Sequence, residues 1–183
     1  VNQHIAPLLL GKTLKRQSEL DSLLKAVDGS DHKHRLGANA ILGVSLAAVK
    51  ARAASNRIPI YRDISEGHPV IMPVPMMNVL NGGRHAMNST DFQEFMVVPA
   101  GFSSFKDALR AGVEVYHTIK DILRLRSHNT NLGDEGGFAP SLSSNQEAVE
   151  LILDAVKKAG YIPGDQVLIG LDVAASEFFV PQK

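Results

Sequence analysis

Cysteine is missing altogether from the 183 residues. Its absence excludes a disulfide framework, a thiol nucleophile and a Cys-ligated zinc or iron–sulfur centre. An excess of either charge is missing too, since 19 Lys and Arg face 19 Asp and Glu for a formal net charge of zero. Such balance points to neither a basic nucleic-acid surface nor an acidic tail. Long apolar runs are also scarce. The most apolar stretch, Ala40 to Val49, contains Gly43 and Ser45 and falls well short of the roughly 20 residues that span a bilayer. No basic segment precedes the short apolar run near the start, so nothing there reads as a signal peptide. The expectation is a soluble, cytoplasmic protein with no transmembrane segment and no nucleic-acid partner.

What is present is ordinary globular material. Hydrophobic residues make up 44% and charged residues 21%, enough to bury a real core in one large domain or two modest ones. The chain starts at Val1 rather than Met and stops just after a strand-like run. It is therefore expected to be a piece of something longer.

Helical patterning dominates the first seventy or so residues. Ser18-Glu19-Leu20-Asp21 has the form of a capping box, and Leu20, Leu23, Leu24 and Val27 follow at helical spacing until Gly29. A second, alanine-rich helix is predicted from about Ala38 to Ser55, with Leu42, Leu46, Val49 and Ala53 on one face. The style changes after His68-Pro69, which sets a domain boundary between Gly67 and Met72. Domains are accordingly expected at residues 1–70 and 71–183. The prolines of Met72-Pro73-Val74-Pro75 lead into a strand start at Met76–Leu80. A Gly-rich loop follows, then a buried strand from Phe92 to Val98 that ends at Pro99. Phe105, Leu109, Val113, Tyr116 and Leu123 mark the stripe of a long helix. Ser144-Asn145-Gln146-Glu147 is a full capping box opening another, which Gly160 ends. Val167–Asp172 reads as a strand with an acid at its C-terminal end. Strands alternating with helices after a helical region suggest an α/β domain with parallel strands. There is no internal repeat or low-complexity segment.

Several signals carry no chemistry. Leu10-Gly11-Lys12-Thr13 has the form of the end of a phosphate-binding loop, but Ala6 stands where the loop needs its first glycine. Asn88-Ser89-Thr90 is a sequon in a chain without a secretory signal. His32-Lys33-His34 reads as a solvated loop. Three acids stand out instead. Glu94 lies in an apolar run, where an ionised group is costly unless paired or functional; the plainer reading is a structural carboxylate bonded to an Arg or a backbone amide. Glu135, between Gly133 and Gly136, sits on a turn that permits close approach of a ligand, or is simply solvated. Asp172 ends an apolar strand, the usual place for catalytic and metal groups in parallel sheets, or else braces the following loop. With parallel strands Glu94, Glu135 and Asp172 are expected to converge at one rim beneath His85, an arrangement that suits acid/base chemistry on an anionic substrate.

At these residues the sequence resembles enolase, the glycolytic lyase. The likeness rests on Leu36–Ala47, on Pro73-Val74-Pro75 through Asn81-Gly82-Gly83 with His85 and Ala86, and on Gln93-Glu94-Phe95-Met96. It continues in Gly133-Asp134-Glu135-Gly136-Gly137-Phe138-Ala139-Pro140 and Gly170-Leu171-Asp172-Val173-Ala174-Ala175-Ser176-Glu177-Phe178. It covers essentially the whole chain in family order. The resemblance implies an α/β fold: the helical part of a small α+β N-terminal domain, then the first part of a modified TIM barrel whose second strand runs antiparallel. It implies reversible dehydration of 2-phospho-D-glycerate to phosphoenolpyruvate with Mg2+, by a homodimer. Residue by residue, Glu135 is the acid that helps the 3-hydroxyl leave, supported by Glu94. His85 and Gln93 contact the substrate, and Asp172 is one magnesium ligand.

Two departures bear on these expectations. Arg84 and Met87 flank His85 where many enolases carry a smaller or acidic residue, which implies altered loop closure and KM. The family's remaining magnesium carboxylates, lysine base and phosphate-binding pair have no counterpart here, so the 183 residues alone are expected to be inactive. Two other readings stand beside this one. One is a non-catalytic enolase-like or truncated binding or scaffold protein; the other takes Glu94 and Glu135 as a glycoside-hydrolase carboxylate pair.

Overall fold

The structure is a computed structural model that describes residues 1–13, 16–86 and 89–180, without the side chain of His85. The chain separates into two compact units, Val1–Ile71 and Met72–Lys183.

The regular structure described in the first unit is all helical. Its elements are α1 (Ala6–Leu9), α2 (Gln17–Asp28), α3 (Ala38–Asn56) and α4 (Ile60–Ile64). Gly29 ends α2 in the left-handed region, φ 67°, where a side chain is strained. The capping box predicted at Ser18 does not form, because α2 starts two residues earlier, with Arg16 rather than Ser18 at its cap. Asp21, which was to reach back, instead accepts hydrogen bonds from Ser45 Oγ at 2.7 Å and Gln17 Nε2 at 3.1 Å. Leu20 and Leu24 meet Ile5 in a small apolar cluster. The face predicted for α3 is only half buried: Val49 and Ala53 are covered, while Leu42 and Leu46 are exposed.

The second unit holds β1 (Met77–Asn81), β2 (Glu94–Val98), α5 (Phe105–Leu125), α6 (Asn145–Lys158) and β3 (Leu168–Asp172). The strands form one sheet in the order β1-β2-β3, and both neighbouring pairs are antiparallel. The parallel arrangement read from alternating strands and helices is therefore wrong for adjacent strands. β2 follows β1 after a short connection with no α-helix among its described residues for the crossover a parallel neighbour needs, so it returns in the opposite direction. Helices α5 and α6 fill the much longer connection between β2 and β3, and β3 again runs with β1.

Alternation in β2 buries Phe95 and Val97 and leaves Glu94, Met96 and Val98 half covered. α5 lies against β1 and α6 against β2, closing an apolar core that includes Phe95, Ile119, Leu123, Phe138 and Leu151. The stripe predicted for α5 holds at Leu123, which is fully buried, and is displaced nearer the start of the helix. Leu109 and Val113 are exposed, whereas Ala108, Ala111, Gly112, Val115 and Ile119 face inward. Small residues let the helix approach closely: a Cβ on Gly112 would stand 2.1 Å from Met77 Sδ. Ser144 does cap α6, its Oγ accepting from the Glu147 amide at 3.1 Å. The Glu147 carboxylate turns to Ser143 N at 2.7 Å rather than to Ser144. Among the described residues no helix is long and apolar enough to cross a membrane.

Candidate functional site

The reversal of β2 builds the rim. β1 and β3 end at Asn81 and Asp172, and β2 begins at Glu94. In register Asn81 pairs with Glu94, and Glu94 pairs with Asp172. Directly opposed residues of antiparallel strands have Cα atoms roughly 4.5–5.5 Å apart, and paired side chains share a face. Glu94 and Asp172 are thus brought side by side at the same end of the sheet. Glu94 is half-buried and Asp172 is exposed.

Asp172 also does what the plainer reading foresaw. Its Oδ1 accepts the Ala174 amide at 2.9 Å, bracing the turn after β3. Its other oxygen has no protein donor among the described residues. A magnesium ion takes oxygen ligands in octahedral array, and Asp172 offers one carboxylate oxygen of that kind. Among the described residues no group of three or more His, Asp and Glu could hold a metal ion. The residues present fit a share of such a site and not a closed one.

The loop between β1 and β2 is tightly folded. Gly82 N donates to Gln93 O at 2.9 Å and Gly83 N to Thr90 O at 2.7 Å. A Cβ on Gly82 would fall 1.9 Å from Thr90 Oγ1, so only glycine fits. Gly83, Arg84, Ser89 and Gln93 line a cleft of about 410 Å³ with Ala174 and Glu177 from the segment after β3. Across it the Arg84 guanidinium meets the Glu177 carboxylate at 2.7 Å. The backbone of His85 lies in the short 3-10 turn Gly83–His85; its side chain and Met87 lie outside the described residues.

Glu135 occupies different surroundings. The turn that carries it is pinned to the end of β1, with Asn81 N donating to Phe138 O at 2.8 Å and Phe138 N to Val79 O at 3.0 Å. The exposed Glu135 side chain itself lines a separate cavity of about 360 Å³ with Met76, Asn78, Val113, Tyr116 and Gly136. The structure therefore joins Glu94 to Asp172 and places Gln93 in the Arg84–Glu177 cleft. It does not bring Glu135 into that cleft.

Residues 1–64 match the family described as enolase, N-terminal domain, and residues 69–183 match enolase, C-terminal TIM barrel domain. The chain belongs to the enolase family. The antiparallel second strand is accordingly the β2 of an enolase barrel, and the helical unit belongs to an enolase N-terminal domain. A glycoside-hydrolase pair is set aside on the same ground, and Glu94 does not line the cavity of Glu135. Tyr116 at the Glu135 cavity was not singled out as a functional group by the sequence, and Asn78, Asn81 and Glu177 stood there only as members of the family motifs.

Proposed function

We propose that this enolase-family chain carries part of the active site of a phosphopyruvate hydratase. The reaction is the reversible dehydration of 2-phospho-D-glycerate to phosphoenolpyruvate with Mg2+, in a cytoplasmic homodimer. In this reading residues 1–70 are the helical remainder of the N-terminal domain and residues 71–183 the first part of the barrel. The observation that supports it is the rim of Asn81, Glu94 and Asp172, assembled by the reversed strand from three separate stretches of chain.

The chemical problem is removing a weakly acidic proton beside a carboxylate and then expelling hydroxide. Bound magnesium supplies positive charge that stabilises the anion formed when the C2 proton leaves, and Asp172 is one of its ligands. Glu135 acts on the second half. An exposed carboxylate on a glycine-flanked turn can rotate toward the rim, and as a neutral acid it gives its proton to the 3-hydroxyl, which departs as water. Glu94, half-buried beside Asp172, supports that acid with a second carboxylate. Gln93 faces the substrate from the cleft wall, and His85 meets it from the loop between β1 and β2. None of the lysines present serves as the base, so residues 1–183 alone do not turn over.

The test separates the two halves of the reaction. In the protein expressed from its complete coding sequence, Glu135→Gln should abolish dehydration while C2 hydrogen exchange with solvent persists. Turnover and exchange that fall in step would remove Glu135 from the acid's role.

A further inference from the structure

The turn carrying Glu135 is gripped by one buried side chain. Asn81 is 2% exposed, and its Nδ2 donates to Gly137 O at 2.8 Å. Its Oδ1 accepts from Asn78 Nδ2 at 2.7 Å, which fixes which way round the amide stands. The fit leaves no slack. A Cβ on Gly133 would lie 2.3 Å from Asn81 Nδ2, and one on Gly137 would lie 2.7 Å from Asn78 Oδ1. Gly133 N closes the turn on Gly137 O at 2.8 Å, so the carbonyl that Asn81 holds is also the one on which the turn closes. The same Asn81 stands opposite Glu94 in register.

We infer that Asn81 is a positioning residue for the Glu135 acid: through Gly137 O it sets the backbone from which Glu135 reaches the rim, while its own strand position fixes Glu94. This rests on the assignment of Glu135 as the acid. A buried amide bonded to a main-chain carbonyl on one side and a second amide on the other is rigid, because breaking either bond strands a polar group away from water. Tyr116 holds the neighbouring Gly136 O at 2.9 Å from the exposed side. Its bond is open to replacement by water, so it is not the determinant.

The experiment uses the protein expressed from its complete coding sequence and compares dehydration with C2 hydrogen exchange. Misplacement of a catalytic group by about 1 Å costs about 100-fold. Asn81→Ala should therefore lower kcat for dehydration about 100-fold, with KM little changed and exchange reduced less than about 5-fold. Gly137→Ala should give the same split by pressing on both members of the amide pair, Asn78 Oδ1 at 2.7 Å and Asn81 Nδ2 at 3.0 Å, with residue 81 itself unchanged. It also serves if Asn81→Ala fails to fold, which circular dichroism and thermal melting would reveal. Tyr116→Phe should change dehydration by less than about 3-fold. Dehydration and exchange falling together in folded Gly137→Ala, or a loss confined to KM, overturns the inference. Glu135→Gln run alongside separates the two ideas. If it lacks the split, the acid assignment fails; if it shows the split and the Gly137 and Asn81 variants do not, only the role of Asn81 fails.

Discussion

In Val1–Ile71 the fully buried apolar cluster is small, Ile5 with Leu20 and Leu24, and the unit also buries two carboxylates, Asp28 and Asp63. Asp28, 1% exposed, accepts from Ser30 N, Ser30 Oγ and Leu36 N, and so ties the end of α2 to the segment that leads into α3. Arg52 reaches Asp63 with Nη2 to Oδ2 at 2.6 Å and Nε to Oδ2 at 2.9 Å, joining α3 to α4. In Met72–Lys183 the corresponding work is apolar: Phe95, Val97, Ile119, Leu123, Leu151 and Ile152 are essentially sealed. Its ion pairs are mostly exposed pairs along or between helices, such as Lys158 with Asp154 at 3.0 Å. The difference teaches which conditions each unit feels. Directional polar clamps depend on protonation and geometry, whereas apolar burial depends on area and fit.

The largest expected effect sharpens the apolar side of that contrast. Phe95→Ala removes a sealed aromatic ring from the sheet and should cost about 3–5 kcal/mol. Native-state hydrogen exchange should show the loss in β2, α5 and α6, at neutral and at mildly acidic pH alike. A loss that appears only in acid would break the comparison.

A middle-sized effect belongs to Asp28. The Ser30 hydroxyl and the Leu36 and Ser30 amides, with Arg35 nearby, hold its carboxyl below the ordinary value of 3.8. A folded-state value below the unfolded one gives stability that is complete above the unfolded value and is lost as pH falls through the folded one. α2 should therefore lose exchange protection below about pH 4, and Asp28→Asn should flatten that dependence. Glu147, lowered chiefly by the Ser143 hydroxyl and amide, gives the second unit a weaker dependence of the same sign, because it is only half-buried where Asp28 is sealed. Equal acid sensitivity in α2 and α6 would contradict the contrast.

The smallest effect is at the cleft. Arg84 and Glu177 pair at 2.7 Å, but their side chains are 78% and 42% exposed. Such pairs contribute under about 1 kcal/mol and are screened by salt. Arg84→Ala should leave melting within a few degrees of the parent, about what 1 kcal/mol moves a domain of this size. A larger drop would show that the pair braces the segment after β3.

How much of this was legible follows from the range of each interaction. The limits of α6 came from its capping box and Gly160, the extent of α3 from its alanine-rich pattern, and the strand character of β2 and β3 from apolar runs bounded by breakers. These signals act within a few residues. The buried stripe of α5 was legible at Leu123 but not at its start, where Ala108, Ala111 and Gly112 are the covered residues and Gly112 lies too close to Met77 for any side chain. Asp28 went unnoticed, since burial of a carboxylate depends on donors from Ser30 and Leu36 that the helix pattern does not reveal.

The same division holds at the site. Sequence by itself determined the residue types available for chemistry, Glu94, Glu135, Asp172 and Gln93, and the motifs that tie the chain to its family. Only the tertiary structure decided which of them meet. Glu94 opens its strand and Asp172 closes its own, and they share a rim because β2 runs against both neighbours. Strand direction is set by how the connecting segments pack, and Asn81 grips the Glu135 turn across 56 residues of chain. No local pattern records a contact of that span, because the partners become neighbours only when the core of Phe95, Phe138 and Leu151 closes between them.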